Sequence, residues 1–209
     1  MQLPRRVFLS ALCALTVSAA LPAANAADAP DAAAPNAAPP NLGPTVKVDL
    51  KTNMGDIVLE LYPEKAPKTV DNFLKYVKEG FYSGTIFHRV IDGFMIQGGG
   101  YDKKLAEKPL HAPIQNEAKN GLKNETYTIA MARTGNPHSA TSQFFINVNN
   151  NEALDYPSRD GWGYCVFGKV ISGTEVVDQI KVLKTVERSS NFQNLPEKAV
   201  VIESAKIIK

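Results

Sequence analysis

The chain predicts a mostly-β fold, on three observations. Short runs with strand chemistry recur along most of its length. Only two segments carry helical spacing, and they lie far apart. Nowhere do strands and helices alternate in the rhythm that builds a doubly wound parallel sheet. A closed antiparallel architecture suits such a pattern, because closure removes unpaired strand edges.

Residues 1–26 do not belong to that fold. Arg5 and Arg6 precede an uncharged apolar stretch from Val7 to Leu21, and Ala24-Asn25-Ala26 fits a small-x-small cleavage site. This predicts a cleaved export signal, too short to serve as a membrane anchor. The pair Arg5-Arg6 also fits a twin-arginine signal, so both export routes stay open. Residues 27–44 are dominated by Ala, Pro, Asn and Asp with no aromatic residue, the composition of a disordered tether. Residues 45–209 remain as one domain, long enough to bury a core.

The elements follow in order. Val46-Lys47-Val48-Asp49-Leu50 alternates, Asn53-Met54-Gly55-Asp56 is turn-rich, and Ile57-Val58-Leu59-Glu60-Leu61 resumes the strand, which predicts a hairpin. Val70, Phe73, Leu74 and Val77 form one helical stripe, with Pro67 suited to the first turn and Gly80 to the position past the end. Strands are expected at 86–91, 94–97, 127–131, 144–148, 165–170 and 200–208. A second helix is expected over 174–182, with Ser172 and Glu175 as its capping box.

Charge and cysteine content narrow the function. Without residues 1–26, which carry two arginines and no acid, the 23 basic residues become 21 and match the 21 acidic ones. A nucleic-acid partner normally leaves a basic excess, so none is expected. Of the two cysteines only Cys165 survives cleavage, and one thiol forms no internal disulfide; it sits in an apolar run as a buried residue. His88, His111 and His138 lack metal-ligand spacing, so no metal is expected, and no cofactor is implied. No G-x-S-x-G elbow accompanies Ser142. Gly98-Gly99-Gly100 lacks the Lys-Ser/Thr of a phosphate cradle and reads as a flexible strand end. Asn124-Glu125-Thr126 fits a glycosylation acceptor.

The chemistry concentrates in 87–99, Phe-His-Arg-Val-Ile-Asp-Gly-Phe-Met-Ile-Gln-Gly-Gly. Arg89 and Gln97 stand among large apolar side chains. A guanidinium never gives up its proton, so in such surroundings it is a fixed hydrogen-bond donor. That suits a reaction in which an amide is twisted and nothing is transferred.

This stretch closely resembles the signature of the cyclophilins, the peptidyl-prolyl cis–trans isomerases. The resemblance spans nearly all of 46–209 and takes in Asn72-Phe73, Met131-Ala132, Ser142-Gln143-Phe144-Phe145-Ile146, Leu154-Asp155 and Val166-Phe167-Gly168-Lys169-Val170. It implies a closed antiparallel β-barrel with two helices capping its ends, and Arg89 as the catalytic residue. It places Phe94, Met95, Gln97, Ala132, Gln143, Phe145 and Leu154 along the substrate groove, with His88 as support for the arginine. Three departures accompany it. Ala153 stands where many members have a tryptophan used in cyclosporin binding, so weak or absent drug binding is expected. Tyr164 replaces a pocket histidine, able to pack and to donate a hydrogen bond. Arg133 replaces an asparagine and is expected to change how peptide backbone is held. All three look like the exported bacterial branch, which favours a periplasmic location. Proline-containing segments of unfolded proteins are the expected partners, and a monomer is the expected state. A proline-peptide binding module or holdase without turnover is the rival reading.

Overall fold

The computed structural model describes residues 42–209. The expected signal and its cleavage site, and all but the last three residues of the tether, lie outside the described residues.

Among the described residues, ten strands and two α-helices follow one another as β1 (Val46–Thr52), β2 (Gly55–Leu61), α1 (Pro67–Lys78), β3 (Thr85–Ile91), β4 (Met95–Asp102), β5 (Thr128–Met131), β6 (Phe144–Asn147), β7 (Val166–Ser172), α2 (Thr174–Lys181), β8 (Thr185–Val186), β9 (Leu195–Pro196) and β10 (Ile202–Ile208). Eight strands make one sheet in the order β10-β1-β2-β7-β5-β6-β4-β3, every neighbour antiparallel. The sheet curls strongly, but its two edges do not share a continuous ladder. They meet through an isolated Ile86–Val201 bridge and two main-chain bonds, Gly84 N to Ile202 O and Phe87 N to Val200 O. The fold is therefore a curled half-barrel rather than the fully closed barrel expected. β8 and β9 pair only with each other.

The concave side holds the main core. Phe73 of α1 has its ring 5.1 Å from Tyr82, 5.6 Å from Phe144 and 5.3 Å from Phe167. Each fully buried ring of this kind contributes about 1.5–3 kcal/mol of transfer free energy. The stripe of α1 is rotated slightly from the expected one. Tyr76 is fully buried, its hydroxyl accepting from His111 N, whereas Leu74 is only partly covered. Pro67 does open the helix, and its missing cap comes from far away. The Glu117 carboxylate accepts from Lys68 N, Thr69 N and Thr69 Oγ1, satisfying donors the helix cannot pair internally.

The second helix begins differently from expectation. Ser172 is the last residue of β7, and Gly173 at φ +83° takes the N-cap with no side-chain cap bond. A Cβ on Gly173 would stand 2.1 Å from Asp56 O, so the chain can turn from strand to helix there only with glycine.

β5 and β6 are buried on both faces, and this positions the functional surface. Phe144 and Ile146 face the main core, while Phe145 joins Met95, Ala130 and Val166 in a second, smaller apolar cluster. Period-two alternation sends neighbouring side chains to opposite faces, so a continuous apolar run serves both clusters.

Candidate active site

The smaller cluster is open at one end. Around that opening lies a cavity of about 120 Å³, lined by Arg89, Phe94, Met95, Gln97, Ala132, Arg133, Phe145, Leu154 and Tyr164. The walls come from strands that register them. Arg89 and Gln97 are cross-strand partners on β3 and β4, and Gln97 is in turn paired with Phe145 on β6. Phe94 ends the turn between β3 and β4, where its N–H donates to Ile91 O and Gly93 takes φ +71°. Leu154 closes a short 3-10 turn, Glu152–Leu154, and its carbonyl accepts from Tyr164 N at 2.8 Å.

Arg89 is exposed beside this apolar surface, its guanidinium carbon 5.9 Å from the centre of the Phe94 ring. Among the described residues no carboxylate forms an ion pair with it. Gln97 is engaged otherwise: its Nε2 donates to Gln143 Oε1 at 3.0 Å. Gln143 stands outside the cavity, lining an adjoining hollow of about 250 Å³ that also includes Glu107, Leu110 and Thr141. Gly100 explains its position. A Cβ on Gly100 would lie 2.6 Å from Gln143 Cγ, so the buried glycine makes room for that side chain. The run Gly98–Gly100 lies inside β4 and is there for close approach, not as a flexible strand end.

Two of the expected site residues have surroundings that the sequence does not show. His88, the chain neighbour of Arg89, is buried. It lies at a register shift of β3, 5% exposed, with its ring 4.8 Å from Tyr101 and 6.3 Å from Phe192, away from the cavity lining. Burial, reinforced by the nearby Arg89 charge, pushes its pKa down to about 4, so the ring is neutral and packs as an aromatic. Arg133 lines the cavity, with three of its five N–H donors engaged within the protein. Its Nε donates to Gly163 O at 3.0 Å, one terminal nitrogen donates to Thr134 O at 3.0 Å, and the other pairs with Asp160. The guanidinium also stacks 4.4 Å from the Tyr164 ring, which meets Phe145 edge-on at 5.7 Å. Arg133 builds a wall. Trp162 stands outside the lining, edge-on to His138 at 4.6 Å.

Sequence reasoning passed over the polar ground behind Leu154. Asn124 and Asn147 are almost wholly buried, and with Asn151 and Asp155 they are linked by side-chain bonds of 2.6–3.2 Å. Asn147 ends β6 and the others lie outside the strands, so no apolar periodicity in the one-dimensional pattern marks them. The burial of Asn124 also removes the glycosylation acceptor from the folded surface. A larger cleft of about 410 Å³ opens beyond this network, edged mostly by polar and charged residues, Lys123, Glu125, Glu152 and Asp155 among them, with Tyr156 and Pro157 on one side. Among the described residues no cluster of His, Cys, Asp and Glu is placed to hold a metal ion, and no helix is long and apolar enough to cross a membrane.

Comparison with known proteins bears on this arrangement. Residues 47–207 match the family model described as cyclophilin type peptidyl-prolyl cis-trans isomerase. A peptidyl-prolyl cis-trans isomerase of Streptomyces antibioticus is 59% identical over 163 residues, covering 77% of this chain and 98% of the relative. Peptidyl-prolyl cis-trans isomerase B of Escherichia coli is 55% identical over 162 residues, with the same coverage. Among solved structures, a cyclophilin type isomerase of Cryptosporidium parvum superposes with a TM-score of 0.66 at 28% identity, over 79% of this chain and 99% of that one. With matches of this extent and a cavity of this composition, the chain belongs to the cyclophilin-type peptidyl-prolyl cis–trans isomerases.

Proposed function

We propose that the chain accelerates rotation about X–Pro bonds in exported or unfolded proteins, with Arg89 as the catalytic donor at an apolar proline pocket. The barrier to rotation is about 18–20 kcal/mol and arises from amide resonance. The two X–Pro isomers differ by only about 0.5–1 kcal/mol, so rate alone needs help. When the bond twists, the prolyl nitrogen pyramidalises and regains a lone pair. A guanidinium N–H aimed there gains more from the twisted state than from the planar one, and that differential lowers the barrier. Phe94, Met95, Phe145 and Leu154 grip the pyrrolidine ring, and Gln97, Ala132 and Gln143 lie along the flanking backbone.

The observation that carries this reading is Arg89 itself, an exposed guanidinium at the mouth of an apolar cavity with no carboxylate paired to it among the described residues. A proline-peptide binder needs the cavity but not the donor. The related Cryptosporidium isomerase has also been solved in the presence of the dipeptide Ala-Pro, which supports a proline-containing segment as occupant here. The protein acts as a monomer, with weak or no cyclosporin binding because Ala153 offers no indole. It reaches the periplasm after cleavage at Ala26.

Isomerisation of an X–Pro test peptide by wild type and Arg89→Ala, with peptide binding measured in parallel, tests the mechanism. Loss of one pre-organised donor should lower kcat by about 10²–10³ while binding persists. Peptide binding by wild type without acceleration would establish the binding-module or holdase reading instead. N-terminal sequencing of the exported protein should begin at Ala27, and an intact Met1 in the cytoplasm would reject the location.

A further inference from the structure

Behind the Leu154 corner three asparagines close a ring. Asn151 Nδ2 donates to Asn147 Oδ1 at 2.6 Å, Asn147 Nδ2 donates to Asn124 Oδ1 at 3.2 Å, and Asn151 N donates to the Asn124 carbonyl at 2.8 Å. Asn147 is fully buried and Asn124 is 2% exposed. Buried amides are costly unless their bonds are made, so a satisfied ring of this kind holds one geometry.

The ring touches the walls of the cavity on two sides. Asn151 Nδ2 also donates to the Phe94 carbonyl at 2.8 Å, on the turn between β3 and β4. The Asn151 carbonyl accepts from Leu154 N at 2.8 Å. Asn124 anchors the same corner from behind, its N and Nδ2 donating to Asp155 Oδ1 at 2.7 and 3.0 Å. Phe94 and Leu154 belong to separate loops, and Asn151 is bonded to both. Without its side chain, Phe94 O keeps a single bond, from Val148 N at 3.0 Å.

We propose that Asn151 is a positioning residue that fixes the separation of the Phe94 and Leu154 walls, and so sets how tightly the pocket grips the proline ring. This rests on the proline-pocket reading given above. The walls hold the ring in the planar and twisted states alike, so their loosening weakens binding of both. Uniform loss of this kind appears in KM and spares kcat, whereas loss of a transition-state donor lowers kcat.

The test compares Asn151→Ala, which removes both side-chain bonds, and Asn151→Asp, which keeps the shape and loses both donors. Asn149→Ala serves as control, since the Asn149 side chain bonds only on the exposed side, to Gly93 O at 3.2 Å and from Asn150 N at 2.9 Å, and touches neither wall. Steady-state isomerisation of an X–Pro peptide is measured beside wild type and Arg89→Ala. Both Asn151 variants should raise KM about tenfold, the scale of a lost apolar contact in a pocket, with kcat within twofold. The control should leave KM within twofold. Folded Asn151 variants with unchanged KM, or with a fall in kcat alone, would overturn the proposal while leaving the role of Arg89 intact. Failure of both variants to fold would make Asn151 a stability residue and overturn it as well. A wild type without turnover, or an Arg89→Ala form as fast as wild type, would overturn the pocket reading and this one together.

Discussion

Replacing Asp160 with asparagine should destabilise the protein by an amount that depends on pH in a defined direction. The Arg133 side chain is 3% exposed and that of Asp160 is 43% exposed, so the pair bridges interior and solvent. Asp160 Oδ1 also accepts from Trp162 N at 3.0 Å and Gly163 N at 3.2 Å, which fixes the turn leading into Tyr164. Those two backbone donors and the Arg133 guanidinium hold the carboxyl down to about pKa 2, the Trp162 N–H contributing most. Asp160→Asn keeps an acceptor oxygen for the turn but removes the charge facing Arg133. A hydrogen bond to a charged partner is worth about 1.5–3 kcal/mol, and the exposure of Asp160 reduces this to about 1–1.5 kcal/mol. For a domain of this size that is roughly 2–6 °C in Tm. A carboxyl depressed on folding stabilises above its unfolded pKa of about 3.9, and that contribution is lost as pH falls toward the folded value. Thermal melts from pH 7 to pH 2.5 should therefore show a gap between wild type and variant that is constant above about pH 5 and shrinks below pH 4. A double-mutant cycle with Arg133→Met should return a coupling of about 1 kcal/mol at neutral pH. A gap that persists unchanged at pH 2.5, or a coupling indistinguishable from zero, would refute the assignment of Arg133 to the wall.

Gly100→Ala should lower kcat/KM about tenfold with only a modest loss of Tm, because the new methyl would meet Gln143 Cγ at 2.6 Å and Nε2 at 2.8 Å, and its relief breaks the Gln97–Gln143 bond. Unchanged peptide turnover in that variant would mean Gln143 has no part in holding substrate. Burial pushes the Cys165 thiol up to about pKa 12 at 4% exposure, so a thiol reagent at pH 8 should label the native protein only as fast as it opens, and the denatured protein at once. Stoichiometric labelling of the native state within minutes would contradict that burial.

The parts of the fold legible in the sequence are those whose signal is local. The alternation of Val46–Leu50 and Ile57–Leu61 with a turn between them became the β1–β2 hairpin, paired from Val46–Leu61 to Thr52–Gly55. The stripe on α1 and its opening proline were visible for the same reason. What escaped depends on contacts distant in the chain. Ser172 looked like a helix cap because its spacing to Glu175 is right, yet the β7 ladder takes it at the pairing with Val58. β8 and β9, two residues each, have no period to detect. The triple glycine looked flexible because nothing in its own neighbourhood shows Tyr82, Phe144 and Gln143 closing on it. The ion pair of Arg133 has no local sign because Asp160, its partner, lies 27 residues away.

These escapes share a physical pattern that separates the site into two kinds of polar group. Arg133 and Gln97 are already engaged, with Asp160 and Gln143 respectively, and the asparagines behind Leu154 bond to one another. A group held by neighbours keeps its position when substrate arrives, and its ordering cost has been met during folding. Arg89 is the exception at the same cavity, exposed and without a carboxylate partner among the described residues. In the proposed mechanism, a donor that favours a twisted amide gains nothing from a resident anion, which would compete for its N–H groups in both states. The sequence pattern around 87–99 could reveal that exception, because an arginine amid apolar residues is a local anomaly. It could not reveal the fixed groups around it, because each is defined by a partner from another part of the chain. The prediction that distinguishes the two kinds is the kinetic split itself: variants of the engaged groups should act mainly through KM, and Arg89→Ala through kcat.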